Sequence, residues 1–301
     1  MFVTLITDCK DDNALGRSTT RLSTLFECNV TTIGVNGWDA DLEAAGNLID
    51  MLDASEGKKG VILVNVAPRH KSGKKWPNGT PFGFFHYKET LVVISVDGLS
   101  LSLVKKLGIV NHVNVMDIPT VMKYLKQQGI VSKDLVDHIS HTQFRSFEFL
   151  PRVAAWLAEG IEIPSEKYPL KNVPHVPKAI WWIDNFGNVK TTLLPEDIGF
   201  KAGKKVFFPT SLRGGTTKQS VVNKVDSGHF DKASTMSSAE SLSAKQARMT
   251  LICYNRLKDV PEGKPALIIG SSGLDEKRFL EIVVQGKSAE KELNLKSGQE
   301  I

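Results

Sequence analysis

The sequence predicts an α/β chain in two parts: an N-terminal three-layer α/β domain with a mostly parallel sheet, and a smaller C-terminal all-β, barrel-like domain. Three observations carry this. Apolar β-branched runs alternate with segments of helical period as far as residue 160, the pattern of a parallel sheet covered by helices. Pro164, Pro169, Pro174 and Pro177 then crowd a stretch that can sustain neither a helix nor a central strand. Beyond it the apolar runs are short and separated by turns. The expected boundaries are 1–162 for the first domain, 163–178 for a proline-rich linker and 179–301 for the second domain.

Residues 2–7 form a β-branched apolar run that ends at Asp8, so a first strand delivers a carboxylate to its C-terminal end. Helical period follows over 14–26, a strand over 30–35, a helix over 39–52 and a strand over 61–66. A further strand is expected at 90–95, helices at 100–107 and 118–128, and an amphipathic helix over 149–159 that stops at Gly160. In the second domain, strands are expected at 179–184, 204–208, 249–254, 266–269 and 280–284, with little helix. Residues 211–246 are rich in Ser, Thr, Gly and Lys without an apolar period, as in a long insertion.

With 301 residues, 41% of them hydrophobic, the chain can bury a sizeable core, which excludes disorder as its main state. No apolar run reaches the roughly 18 residues of a membrane span, and the first residues lack a leader pattern. Cys9, Cys28 and Cys253 are far apart and form no CxxC pair, so neither zinc nor redox chemistry is indicated and a reducing cytoplasm is expected. A net charge of +5 is too small for a nucleic-acid-binding arm.

Two constellations stand out. Asp8, Asp11 and Asp12 follow the first strand and offer acceptors for vicinal hydroxyls, a cation or a divalent metal, while Asp11 or Asp12 is also suited to capping the next helix, Asp12 being preferred as the cap and Asp8 as the ligand-binding residue. Trp181-Trp182-Ile183-Asp184-Asn185-Phe186-Gly187-Asn188 breaks a strand into a polar turn. Gly270-Ser271-Ser272-Gly273 and Gly286-Lys287-Ser288-Ala289 end two later strands in the same way. Neither GxGxxG, GxxxxGK[ST] nor GxSxG is present, which disfavours the common dinucleotide, nucleoside triphosphate and serine-hydrolase readings. His138 and His141 have the spacing of neighbours on one helix face, without a third ligand.

Taken in order, these residues resemble the family of S-adenosylmethionine hydroxide adenosyltransferases and the related fluorinases and chlorinases. Thr7-Asp8-Cys9-Lys10-Asp11 is similar to that family's Thr-Asp-Phe-Gly followed by a second Asp, and 149–160 is similar to the segment that closes its first domain. Ile183-Asp184-Asn185-Phe186-Gly187-Asn188-Val189-Lys190-Thr191 matches Ile-Asp-x-Phe-Gly-Asn-x-x-Thr, and the stretch 254–263 resembles a late Tyr-x-x-Val-Pro-x-Gly with extra residues. Ser271-Ser272-Gly273, Leu280-Glu281-Ile282 and Gly286-Lys287-Ser288-Ala289 match its closing motifs.

The resemblance implies a homotrimer with sites between the first domain of one subunit and the second domain of the next. S-adenosylmethionine is then the substrate, with no cofactor and no metal, and adenosine and methionine are the products. Asp8 would hold the ribose hydroxyls and Asp11 would lie near the methionine end. Asp184 would pair with the ammonium, Ser271 and Ser272 would bind the carboxylate, and Phe186, Asn188 and Ala289 would contact the nucleoside. The chain departs from the family at Ala67, where an Asp belongs, at Ser95-Val96-Asp97-Gly98, and at Phe144-Arg145-Ser146-Phe147, which replaces His-Gly-Arg-Asp. Arg69, His70, Lys74 and Arg145 are the cationic candidates to hold an anionic nucleophile instead. A non-catalytic nucleoside-binding protein, and a calcium-dependent nucleoside hydrolase using the acidic start, are the alternatives.

Overall fold

The computed structural model describes residues 1–36, 40–67, 79–209 and 248–301. Arg69, His70, Lys74 and the stretch 211–246 lie outside the described residues.

The first sheet has seven strands in the order β2-β1-β3-β5-β4-β6-β7. Four are parallel: β1 (Phe2–Thr7), β2 (Val30–Gly34), β3 (Gly60–Asn65) and β5 (Thr90–Ser95). β4 (Phe82–Tyr87) runs antiparallel between β5 and β6 (His112–Met116), and β7 (Glu166–Pro169) runs antiparallel on β6 at the edge. The sheet is therefore mixed, with a parallel centre and an antiparallel flank that the sequence reading does not contain. β7 falls within the proline-rich stretch and sits where proline is tolerated, on an edge strand.

Helices cover both faces. On one lie α1 (Asp12–Phe26), α4 (Ile118–Gln127), α5 (Lys133–His141), the short α6 (Arg145–Glu148) and α7 (Leu150–Ala158). Leu22, Val121, Leu125, Ile139 and Val153 bury this face against Val3, Leu5, Val61 and Leu63. On the other face lie α2 (Ala40–Ser55) and α3 (Ser102–Leu107). α2 is buried almost all round, from Ala40 to Leu52, as expected of a helix with apolar matter on every side.

The second unit packs on the outer side of α2. Its six strands run β10-β11-β12-β13-β9-β8, with β8 (Ile180–Ile183), β9 (Val189–Thr191), β10 (Lys205–Pro209), β11 (Arg248–Tyr254), β12 (Pro265–Leu274) and β13 (Lys277–Val284). Pairing is antiparallel except for β11 with β12. One helix, α8 (Ala289–Leu293), ends the unit. Leu274 and Phe279 belong to the same buried cluster as Leu48, Ile49 and Leu52 of α2, so one core runs through both units. Polar ties reinforce the junction: Arg278 pairs with Asp53 at 2.7 Å, and Lys106 of α3 with Asp197 at 2.5 Å.

Candidate functional site

The sequence-predicted residues fall into two groups. The first lies at the C-terminal edge of the parallel strands. β1 is followed by α1 toward β2 on one side, and β2 by α2 toward β3 on the other. The crevice between β1 and β3 is thus a topological switch point, where open α/β sheets bind ligands. Asp8 stands there. Its backbone N–H donates to the Asn65 carbonyl at 3.3 Å. Its Oδ2 accepts from the Ala67 N–H at 3.1 Å. Asn65 Nδ2 donates to Thr7 Oγ1 at 3.2 Å, tying the two strand ends together. β5 and β6 also end in carboxylates at this edge: Asp97, buried, accepts from the Gly98 N–H at 2.9 Å, and Asp117 caps α4 by accepting from the Thr120 N–H at 3.1 Å.

Asp11, not Asp12, is the cap of α1. Its Oδ1 accepts from the Ala14 N–H at 3.0 Å, and Asp12 is the first helical residue. The acid with extended backbone just outside the helix can turn its side chain onto the free N–H groups of the first turn. Asp11 is exposed, so its carboxylate also remains open to solvent.

A cleft of about 900 Å³ opens at the antiparallel end of the same edge, with Gly79, Asp117, Thr120, His141, Arg145 and Glu166 among its lining residues. Arg145 is half-buried there, and burial lowers its pKa from the ordinary guanidinium value. Beyond it, Arg17 and Arg21 both stack on Phe147, each guanidinium carbon 4.4 Å from the ring centre. Glu148 accepts from Arg21 at 3.2 Å and Arg152 at 2.8 Å, with His138 at 3.6 Å. Burial alone pushes the Glu148 carboxyl up, but the two guanidinium groups outweigh it and hold the carboxyl below the usual range.

The second group is on the other sheet. Asp184 closes the β8–β9 turn on itself: Oδ1 accepts from the N–H groups of Phe186 and Asn188, both at 2.9 Å, and Oδ2 from Asn188 Nδ2 at 3.0 Å. Gly187 takes φ +82 and rests on Ser288, and the Glu290 N–H donates to its carbonyl at 3.0 Å. The turn is therefore docked on the start of α8, where Ala289 is buried and Ser288 caps the helix. Phe186, at the tip, is 73% exposed, an aromatic face on a polar rim that the described residues leave largely uncovered.

The stretch 270–273, expected as a turn that ends a strand, lies instead inside β12, which runs on to Leu274; Ser271 and Ser272 sit in a bulge where β12 loses register with β13. They part company there. Ser271 is exposed, and its N–H donates to Glu281 Oε1 at 3.2 Å. Ser272 is buried, and its hydroxyl donates to Asp50 of α2 at 2.8 Å while accepting from Lys190. Of the two serines expected to meet a ligand carboxylate, only Ser271 faces solvent.

Asp50, Lys190 and Glu281 are the residues around this site that the sequence reading missed. Lys190 Nζ lies 3.9 Å from Asp50 and 3.8 Å from Glu281. Burial raises both carboxyls above their ordinary values, against the opposing pull of Ser272 and Lys190 at Asp50 and of Lys190 at Glu281. Positions 50, 190 and 281 are too far apart in sequence for spacing to link them, although Lys190 and Glu281 both lie inside motifs that carry the resemblance.

No family model matches the chain, and no curated protein matches it. Solved structures do. An uncharacterized conserved protein from Thermotoga maritima is similar at a TM-score of 0.60 and 14% identity, over 99% of this chain and 97% of that one. A conserved hypothetical protein from Thermus thermophilus is similar at a TM-score of 0.56 and 17% identity, with the same coverage. These likenesses show the fold: a two-part α/β chain matched along nearly its whole length. Among the described residues, no helix is long and apolar enough to cross a membrane.

Proposed function

We propose that the protein binds S-adenosylmethionine and cleaves it by attack of water or hydroxide, or of a halide, on the ribose 5′ carbon, in the cytoplasm. The observation that carries the reading is the placement of Asp8 at the switch point of the first sheet, together with the Asp184–Asn188 turn docked on Ser288–Glu290 of the second. The first offers paired acceptors suited to vicinal ribose hydroxyls. The second offers amide groups, an acid and the exposed Phe186 ring within one loop pair, suited to an adenine and an amino-acid tail.

In the reaction a C5′–O bond, or with a halide a C5′–halogen bond, forms as the C5′–S bond breaks; the bonding pair leaves on sulfur, giving the thioether of methionine, and where water is the nucleophile its extra proton passes to solvent. The sulfonium is already a good leaving group, so alignment and removal of water from the nucleophile suffice. No metal and no second substrate beyond the nucleophile enters the balance. A homotrimer would join the Asp8 group of one subunit to the Asp184 group of the next. Neither nucleic acid nor membrane is a partner in this reading.

A second reading is binding of S-adenosylmethionine or adenosine without turnover. It is supported by Ala67, which brings only its backbone N–H to Asp8. One pair of measurements separates the two. Purified protein is incubated with S-adenosylmethionine in water, chloride and fluoride, and the mixture is chromatographed for adenosine, halo-adenosines and methionine. Calorimetry measures binding in parallel. Product release supports cleavage, micromolar binding of intact ligand supports the second reading, and absence of binding removes both.

A further inference from the structure

We propose that Glu281 is the positioning residue of the Ser271–Ser272 bulge, acting with Lys190 and Asp50 as one charge-balanced unit that holds a single proton. Glu281 is buried and Asp50 is largely covered, with its side chain 23% exposed; the two carboxylates beside one ammonium leave an excess negative charge, and a proton removes it. Lys190 is nearly equidistant from the two acids, at 3.9 and 3.8 Å, so one cation serves both. Ser272, which also accepts from Lys190, and the Gly273 N–H donate to Asp50 at 2.8 and 3.1 Å; these bonds favour its ionised form and leave Glu281 as the acid that carries the proton. The bulge is moulded on Glu281: a Cβ at Gly270 would come within 2.5 Å of the Glu281 carboxyl, and the Ser271 N–H points at it. The raised pKa of both acids agrees with a retained proton.

Among the described residues, the remaining charged groups around the unit do not supply a second cation at its centre. From α2 come Asp50 and Asp53, from β9 Lys190, from β13 Glu281, Arg278 and Lys277, the last donating to the Leu107 carbonyl at 2.8 Å, from the β12–β13 turn Asp275 and Glu276, and from the β8–β9 turn Asp184. Arg278 is paired to Asp53 at 2.7 Å. Asp184 adds negative charge near Glu281.

The consequence for binding rests on the function proposed above. With Glu281 protonated, the exposed Ser271 N–H and hydroxyl can turn to a ligand carboxylate. With Glu281 ionised, the same groups are held by a charge-assisted bond and the ligand carboxylate meets a like charge. Ligand affinity therefore falls as pH rises. Stability falls in the same direction without ligand. An acid whose pKa is raised in the fold stabilises it below the ordinary carboxylate range, and that contribution is lost as pH rises through the raised value.

The test uses the full chain, its Glu281→Gln and Asp50→Asn variants and the double variant, from about pH 4 to pH 8.5, a range that starts near the ordinary carboxylate values and runs well above them. Melting temperature is followed without ligand, and adenosine and S-adenosylmethionine binding by calorimetry. The expected result is a wild-type melting temperature that declines with pH and a Kd that weakens about tenfold per pH unit past the apparent pKa, with both slopes flattened in either single variant. The double variant, which strands Lys190, is less stable than the sum of the singles predicts and recovers as pH rises. Parallel pH profiles in wild type and Glu281→Gln, or a flat wild-type profile, overturn the proposal. If neither nucleoside binds, the proposed function fails alone, and the ligand-free melting profiles still decide this inference.

Discussion

Trp181 of β8 lies flat on Gly46 of α2: a Cβ on Gly46 would come within 2.2 Å of the indole ring. Trp181 is fully buried, and its Nε1 has no acceptor among the described residues, so the indole is held by shape rather than by a hydrogen bond. The small residues Ala44, Ala45 and Gly46 let the second sheet approach this closely, and the contact is where the two units meet.

Replacing Gly46 with Ala should therefore destabilise the chain even though alanine favours a helix. Overpacking a tight contact costs about 1–3 kcal/mol and here sets a ring against a helix backbone, outweighing the roughly 1 kcal/mol gained in helix propensity. Urea unfolding followed by tryptophan fluorescence measures it. A midpoint at or above wild type would mean that the two units do not meet at this contact.

Gly187→Ala should loosen the Asp184 turn. The backbone sits at φ +82, and the new methyl would meet Ser288 Oγ at 2.0 Å. Both penalties act at the turn. Nucleoside affinity should drop at least about tenfold, with a small loss of melting temperature, and adding Ser288→Gly should restore part of it. Calorimetry on the single and double variants checks this.

Asp8→Ala should abolish measurable adenosine binding while changing stability little, because the side chain is only partly buried and its bond to the Ala67 N–H lies at the exposed strand end. Asp8→Asn, which keeps one acceptor oxygen, should bind roughly ten- to a hundredfold more weakly than wild type. Equal affinity for wild type and Asp8→Ala would remove the switch-point crevice as the ribose site.

Acid should act on Glu148. Its carboxyl lies below the ordinary 4.5 in the fold, so its contribution is complete above that value and is lost as pH falls through the lowered one. Glu148→Gln should cost about 1–3 kcal/mol at neutral pH, discounted for partial exposure, and should flatten the loss of stability below pH ~4.5. Chemical denaturation at a series of acidic pH values reads out both.

Much of this architecture is written locally. The apolar, β-branched run of β1 marks a strand, and its five buried residues from Val3 to Thr7, the two threonines included, show it covered on both faces. The turn at Asp184 follows from side-chain bonds that span four residues at most. The antiparallel flank was not legible. β4 carries Gly83 within an aromatic run and pairs with β5 across a tight turn, whereas the short β6 and β7 are held by β4 and by each other across long stretches of chain rather than by their own period.

The sequence by itself determined the alternation of strands and helices, the change of character after the prolines, and the strand-end position of Asp8 and Asp184. These depend on periodicity and turn chemistry, which act over a few residues. Only the tertiary structure decided that Ser271 and Ser272 sit in a bulge inside β12, with Ser272 at the junction and Ser271 at the surface, and that Asp50, Lys190 and Glu281 meet. Charge balance in a buried space depends on which side chains the fold brings within about 4 Å of one another, and no spacing along the chain encodes that meeting.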